Sequence, residues 1–178
     1  MKYRKRIFLI IFLITTQLFA VQLPKRILKK VDKELVKAFE KSNLQLVSIT
    51  IPAEVNTQLG KKIGASNLFQ IVNTKEVIGF AYIDKAPSKT DEFDYLILLD
   101  KGLIILKTKI LIYREDYGGE IGSKRWLQQF IGKSSKDQLK YKKDIMAISG
   151  ATISANSMTI AVNTFLKNLT ILKENKIL

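Results

Sequence analysis

The stretch Tyr95-Leu96-Ile97-Leu98-Leu99 runs into Asp100-Lys101-Gly102 and then into a second apolar run, Leu103 to Tyr113. Two runs rich in branched and aromatic residues on either side of a short glycine-bearing turn predict a β-hairpin, with Gly102 free to take a positive φ. The length and β-branched content of Leu103–Tyr113 predict a central strand. Upstream, Leu68–Val72 and Val77–Ile83 flank Asn73-Thr74-Lys75-Glu76 and predict another hairpin. Leu44–Ile51 alternates and is stopped by Pro52, which predicts one more strand. Between these lie two irregular segments: Asn56–Ser66, with Gly60 and Gly64, reads as a loop or short helix, and Ala86–Asp91, with Pro87, as a loop.

Helical periodicity appears at both ends of this β-rich middle. Ile27, Leu28, Val31, Leu35, Val36 and Phe39 share one face of a run from Lys25 to Lys41, with Lys and Glu opposite. Near the C-terminus, Met158, Ala161, Val162, Phe165, Leu166 and Leu169 recur at helical spacing. Hairpins in the middle and helices outside predict an α+β fold, a twisted and mostly antiparallel sheet with helices packed on it. With 178 residues the chain holds one ordinary domain.

The first twenty residues are of a different kind. Lys2, Arg4, Lys5 and Arg6 precede the apolar run Ile7–Ala20, the pattern of a secretory signal. The run is shorter than the roughly 20 residues of a membrane span, and Thr15, Thr16 and Gln17 interrupt it. The division expected is a signal peptide at 1–20, an N-terminal helix at 21–43 and a domain at 44–178. The exported chain would lie in the periplasm or at the outer face of the cytoplasmic membrane.

Charge and missing residue types narrow the chemistry. The chain has 30 Lys and Arg against 16 Asp and Glu. Loss of residues 1–20 leaves 26 cations against 16 carboxylates, a balance of +10. The lysines are spread along the chain, which predicts a solvated basic surface able to meet a membrane surface; with export, this argues against nucleic acid. There is no Cys and no His. That removes disulfides, thiolate nucleophiles, His-based triads and the usual zinc, haem and iron–sulfur ligand sets, and no metal site is expected. Redox work by such a chain calls for an organic cofactor.

Two segments carry candidate binding residues. Arg114 to Gly122 contains Gly118, Gly119 and Gly122, with Glu120 between them. The glycines allow a tight, ligand-hugging turn, or simply a strand-to-helix corner. Ser123 then predicts the cap of a short helix, Lys124–Phe130, with Trp126 and Phe130 one turn apart. Gly132–Tyr141 is a polar connector, and Asp144–Ile148 predicts a short closing strand. The second segment is Ser149-Gly150-Ala151-Thr152-Ile153-Ser154, at the head of the C-terminal helix. Ser154 and Asn156 are good capping residues. Small residues and hydroxyls at a helix start suit a phosphate, whose charge the N-terminal N–H groups and dipole favour; they also suit an ordinary capped helix.

Ser149-Gly150-Ala151-Thr152 followed by Ile153-Ser154 resembles the flavinylation motif of the FMN-binding domain family, which includes flavin subunits of the Rnf and sodium-pumping NADH:quinone reductase complexes. The resemblance runs from about Leu68 to Leu169. It implies FMN joined through a phosphoester to Thr152, with Ser149, Gly150, Ala151 and Ser154 around it and the glycine segment of Gly118, Gly119, Glu120 and Gly122 near the ring, at the sheet edge by the last helix. It implies an electron carrier rather than a stand-alone enzyme. Its partners would be a Mg-dependent flavin transferase that uses FAD, a membrane electron donor and an electron acceptor. Arg114, Lys124 or Arg125 would then favour an anionic reduced flavin. The chain departs from the family at two places: Met146 stands where an Asp is usual, with Asp144 the nearest substitute, and Tyr117-Gly118-Gly119-Glu120 replaces a Pro-Gly-Leu-Gly run. The reading from the other class is a non-redox periplasmic or surface binding module with a basic surface. A Ser149 or Thr152 hydrolase is disfavoured by the lack of a His base.

Overall fold

A computed structural model describes residues 23–178; the signal expected at 1–20 lies outside them. The elements, in chain order, are α1 (Lys25–Phe39), β1 (Gln45–Ser48), α2 (Ala53–Asn56), β2 (Leu68–Asn73), β3 (Glu76–Pro87), β4 (Glu92–Leu99), β5 (Ile105–Ile112), α3 (Lys124–Leu127) and α4 (Thr152–Glu174). Single 3₁₀ turns at Gly119–Gly122 and Gln128–Phe130 flank α3. The strands form one antiparallel meander in the order β1-β2-β3-β4-β5. The architecture is α+β, as expected.

The sheet is buried on both faces, and period-two alternation distributes its side chains. On β4, Phe93, Tyr95, Ile97 and Leu99 join the core under α4, while Leu96 and Leu98 join a second core under α1. Helix α4 contributes Met158, Val162, Phe165, Leu166 and Leu169, and the Phe165 ring stacks on Tyr82 with centroids 3.9 Å apart. Helix α1 contributes Ile27, Val31 and Leu35 from its one apolar face. It runs antiparallel to β5: Lys30 Nζ donates to the Leu111 carbonyl, and Glu34 Oε2 lies 2.6 Å from Lys107 Nζ.

Several local expectations are revised. β5 is an edge strand, not a central one; the centre is β3, whose twelve residues pair with β2 and β4. The edge of β5 is partly covered, because Ile105 exchanges backbone hydrogen bonds with Gly132 and Lys133. β3 runs through Ala86 and Pro87, which pair with Phe93 and Glu92, so the loop there is only 88–91. In the β4–β5 turn it is Leu103, at φ 63°, that takes the left-handed conformation, and not Gly102. Asp144–Ile148 forms no strand; Tyr141 and Ile145 make one isolated bridge.

Candidate functional site

The end of β5, the 88–91 loop and the start of α4 converge on a cleft of about 670 Å3. The third wall is made locally. Ile148 accepts the Ala151 N–H at 3.3 Å, closing a turn through Gly150 at φ 81°. Helix α4 starts at once, with Ala151 as its N-cap residue and no side chain capping it. Thr152 and Ile153 are exposed, and both line the cleft. The first amides of α4 have no intrahelical acceptor, so the cleft wall carries free donors and the positive end of a 23-residue helix.

Ser154 does not cap the helix. It lies inside the first turn, is 3% exposed, and its hydroxyl is 3.0 Å from Tyr113 Oη at the end of β5. Asn156 is likewise within the helix. The Tyr113–Ser154 bond ties α4 to the sheet at the mouth of the site. Gly118, at φ 82°, fits beneath it: a Cβ there would stand 2.7 Å from Tyr113 Oη and 3.3 Å from the Gly150 carbonyl.

The other expected residues sit elsewhere. Gly119 has nothing within 4 Å of its would-be Cβ, and Gly122 faces Ile110. Ser149 and Glu120 line a separate depression of about 380 Å3 with Trp126 and Met146. Thus Gly118, Gly150, Ala151, Thr152 and Ser154 come together, whereas Ser149, Gly119, Glu120 and Gly122 do not face the cleft. Met146 holds its backbone in place through Trp126 Nε1 (2.7 Å) and Gln129 Oε1 (2.8 Å), with its side chain exposed. Asp144 is engaged nearby, where its carboxylate accepts the Lys140 N–H at 2.8 Å.

On the opposite wall sequence reading found Arg114 but missed Glu115 and the 88–91 loop. Glu115 Oε1 accepts from the Thr90 amide (2.6 Å), the Ser88 hydroxyl (2.7 Å), the Thr90 hydroxyl (3.1 Å) and the Asp91 amide (3.2 Å). These bonds, the Thr90 amide foremost, hold its carboxyl down at about 2. One carboxylate therefore ties Ser88, Thr90 and Asp91 together, in a loop that also closes on itself where the Ser88 amide and hydroxyl donate to the Asp91 carbonyl (2.7 and 2.8 Å). Arg114 is held by the Glu92 carbonyl at 2.7 Å and by an ion pair with Asp94. Tyr117 is 85% exposed on the rim. No pattern local to 88–91 or 113–117 announces these contacts.

The lining charges are Lys89 and Arg114 against Asp91, Glu115 and Asp116. Side chains thus give no net positive field, and attraction for an anion comes from the end of α4. The volume lies in the ordinary range for small-molecule clefts, roughly 300–1,000 Å3. Such a donor set fits a phosphate seated at the helix terminus, and the cleft holds room and aromatic surface for a ring system. Together they define an α+β ligand-binding domain. The model of the FMN-binding domain family matches residues 89–167, a stretch containing every residue named as lining the cleft. That match, over somewhat less than half of the chain, supports flavin binding at this cleft. No curated protein matches the chain.

Proposed function

We propose that FMN is attached through a phosphoester to Thr152 Oγ1 and that the protein is an exported electron carrier. The observation that carries this is the placement of Thr152. It is the first residue of an uncapped helix, exposed, on the wall of the large cleft, inside the FMN-binding stretch. The free amides of the first turn of α4 would receive the phosphate. Gly118 leaves the space in which the Gly150 turn sits, and Tyr113 fixes Ser154 so that the helix start is rigid. Tyr113 and Tyr117 offer ring faces to an aromatic ligand.

Bound FMN supplies one- and two-electron chemistry that a chain without Cys or His lacks. A covalent bond suits a protein working outside the cytoplasm, where a dissociated flavin is lost by dilution. The reading includes a flavin transferase that installs the FMN half of FAD, a membrane electron donor, and a separate acceptor. It places the protein in the periplasm or at the outer face of the cytoplasmic membrane. The competing reading, a non-redox binding module, draws on Met146 in the position where the family usually has Asp.

The test is intact mass with in-gel fluorescence, after co-expression with and without a flavin transferase. The expected result is an added mass of one FMN less one water, with fluorescence that survives denaturation and disappears in Thr152→Ala. An unmodified mass beside an active transferase rejects the covalent reading. Recovery of modification in Met146→Asp would locate the defect at that position.

A further inference from the structure

A second groove, of about 500 Å3, opens on the α1 side of the sheet between α1, the edge strand β5 and α3. Lys37, Lys107, Lys109 and Lys124 line it, and the one carboxylate among its lining residues is Glu34. Glu34 is 8% exposed and 2.6 Å from Lys107 Nζ, so one positive charge is already matched. Burial raises the Glu34 carboxyl, but the hydrogen bond and charge of Lys107, with the charges of Lys37 and Lys109, bring it below its ordinary value. Lysines from a helix and a strand therefore act on one point, and a surplus of three positive charges remains in a concave site. Lysine on an edge strand is a usual guard against pairing. That accounts for Lys107 and Lys109, but not for the convergence of Lys37 and Lys124 from two other elements.

We propose that this groove docks an acidic segment of a protein partner. Charge complementarity selects the partner's sign, and the concave shape favours a protruding chain over a flat lipid surface. The location suits a redox partner. Gly122 lines the groove, while Gly118 of the same loop abuts the Gly150 turn of the flavin cleft. Naming the partner as a redox protein rests on the electron-carrier reading. The affinity of the groove for acidic chains does not, and it is measured without flavin.

Isotope-labelled, flavin-free protein is titrated with poly-L-glutamate and followed by NMR at low and high salt. Salt-sensitive shifts are expected to concentrate at Lys37, Thr108, Lys109 and Lys124. The triple variant Lys37→Gln, Lys109→Gln, Lys124→Gln, which keeps the Lys107–Glu34 pair, is expected to bind about tenfold more weakly. The control Lys62→Gln, Lys143→Gln, Lys173→Gln removes the same charge from exposed sites and is expected to lose less than about threefold. Circular dichroism checks that both variants stay folded. Equal weakening in the two triples, or shifts spread over the surface, overturns the proposal in favour of diffuse charge attraction. Tighter binding of phosphatidylglycerol vesicles than of poly-L-glutamate through the same lysines overturns it in favour of a lipid surface. Failure of flavin attachment leaves these readouts unchanged, so the two readings fail separately.

Discussion

Gly118 is the residue on which the Gly150 turn leans. Alanine there would hold a side chain at φ 82°, which L-residues adopt at a cost, and would push on Tyr113 Oη at 2.7 Å. Relief requires Tyr113 to move and release Ser154. Gly118→Ala is therefore expected to destabilise the flavin-free protein by about 1–3 kcal/mol and to reduce flavin attachment. Gly119→Ala, with open space around it, should stay within about 0.5 kcal/mol. Denaturant unfolding and flavin yield by mass, measured on both variants, make the comparison; equal stability would remove the role assigned to Gly118. The sequence marks a glycine-rich corner here but does not say which glycine is needed. That depends on φ and on a neighbour in the 150 turn, neither of which is local. Ser154 teaches the same thing. Its type suggests a cap, but its partner is Tyr113, 41 positions away in the chain.

Between residue and fold, single contacts decide the behaviour of loops and hairpins. The 88–91 loop is tied by Glu115, whose carboxyl is held at about 2 in the folded protein against an ordinary 4.5. A depressed folded value means that the unfolded chain takes up the proton first as pH falls. The contribution of Glu115 is whole above about pH 4.5 and is lost as the pH drops toward 2. Protection of the Thr90 and Asp91 amides, taken relative to their intrinsic exchange rates at each pH, should therefore persist through mildly acidic pH and fall toward pH 2. Glu115→Gln should lack that protection throughout; full protection in that variant would show that the loop holds itself. The β2–β3 hairpin offers an independent case. Its turn residues Thr74 and Lys75 have φ 46° and 76°, both left-handed and neither glycine. Thr74→Asn with Lys75→Gly matches the turn that two-residue hairpins prefer and should stabilise by about 1 kcal/mol in thermal or denaturant unfolding. Both hairpins were legible because apolar runs flank polar turns. The place of β5 was not: its Lys107, Thr108 and Lys109 mark an edge more truly than its branched residues mark a centre.

The whole molecule is a sheet covered on both sides, and this bears on how much of the chain an FMN-binding domain needs. The family match spans 89–167, which holds β4, β5 and most of α4 but omits β3, the central strand, and α1. The sequence reading sets a helix at 21–43 beside a domain from 44 and expects that helix to pack on it. The packing of α1 is intimate: Ile27, Val31 and Leu35 are at most 3% exposed and cover Phe69, Ile71, Leu96 and Leu98, which are all fully buried. Burying each such aliphatic side chain is worth about 1.5–3 kcal/mol. Three of them approach the 5–15 kcal/mol typical of total domain stability. A chain starting at residue 41 should therefore lose its cooperative unfolding transition, bind a hydrophobic dye and lose near-ultraviolet dichroism while keeping much of its strand signal. Sharp two-state unfolding of that truncated chain would show that α4 alone sustains the fold. The result also reaches the site: β5 ends in Tyr113, and Lys30 of α1 holds the Leu111 carbonyl just before it. Loosening α1 should free the Tyr113–Ser154 tie and with it the rigid helix start at Thr152, so flavin attachment should fall together with the fold.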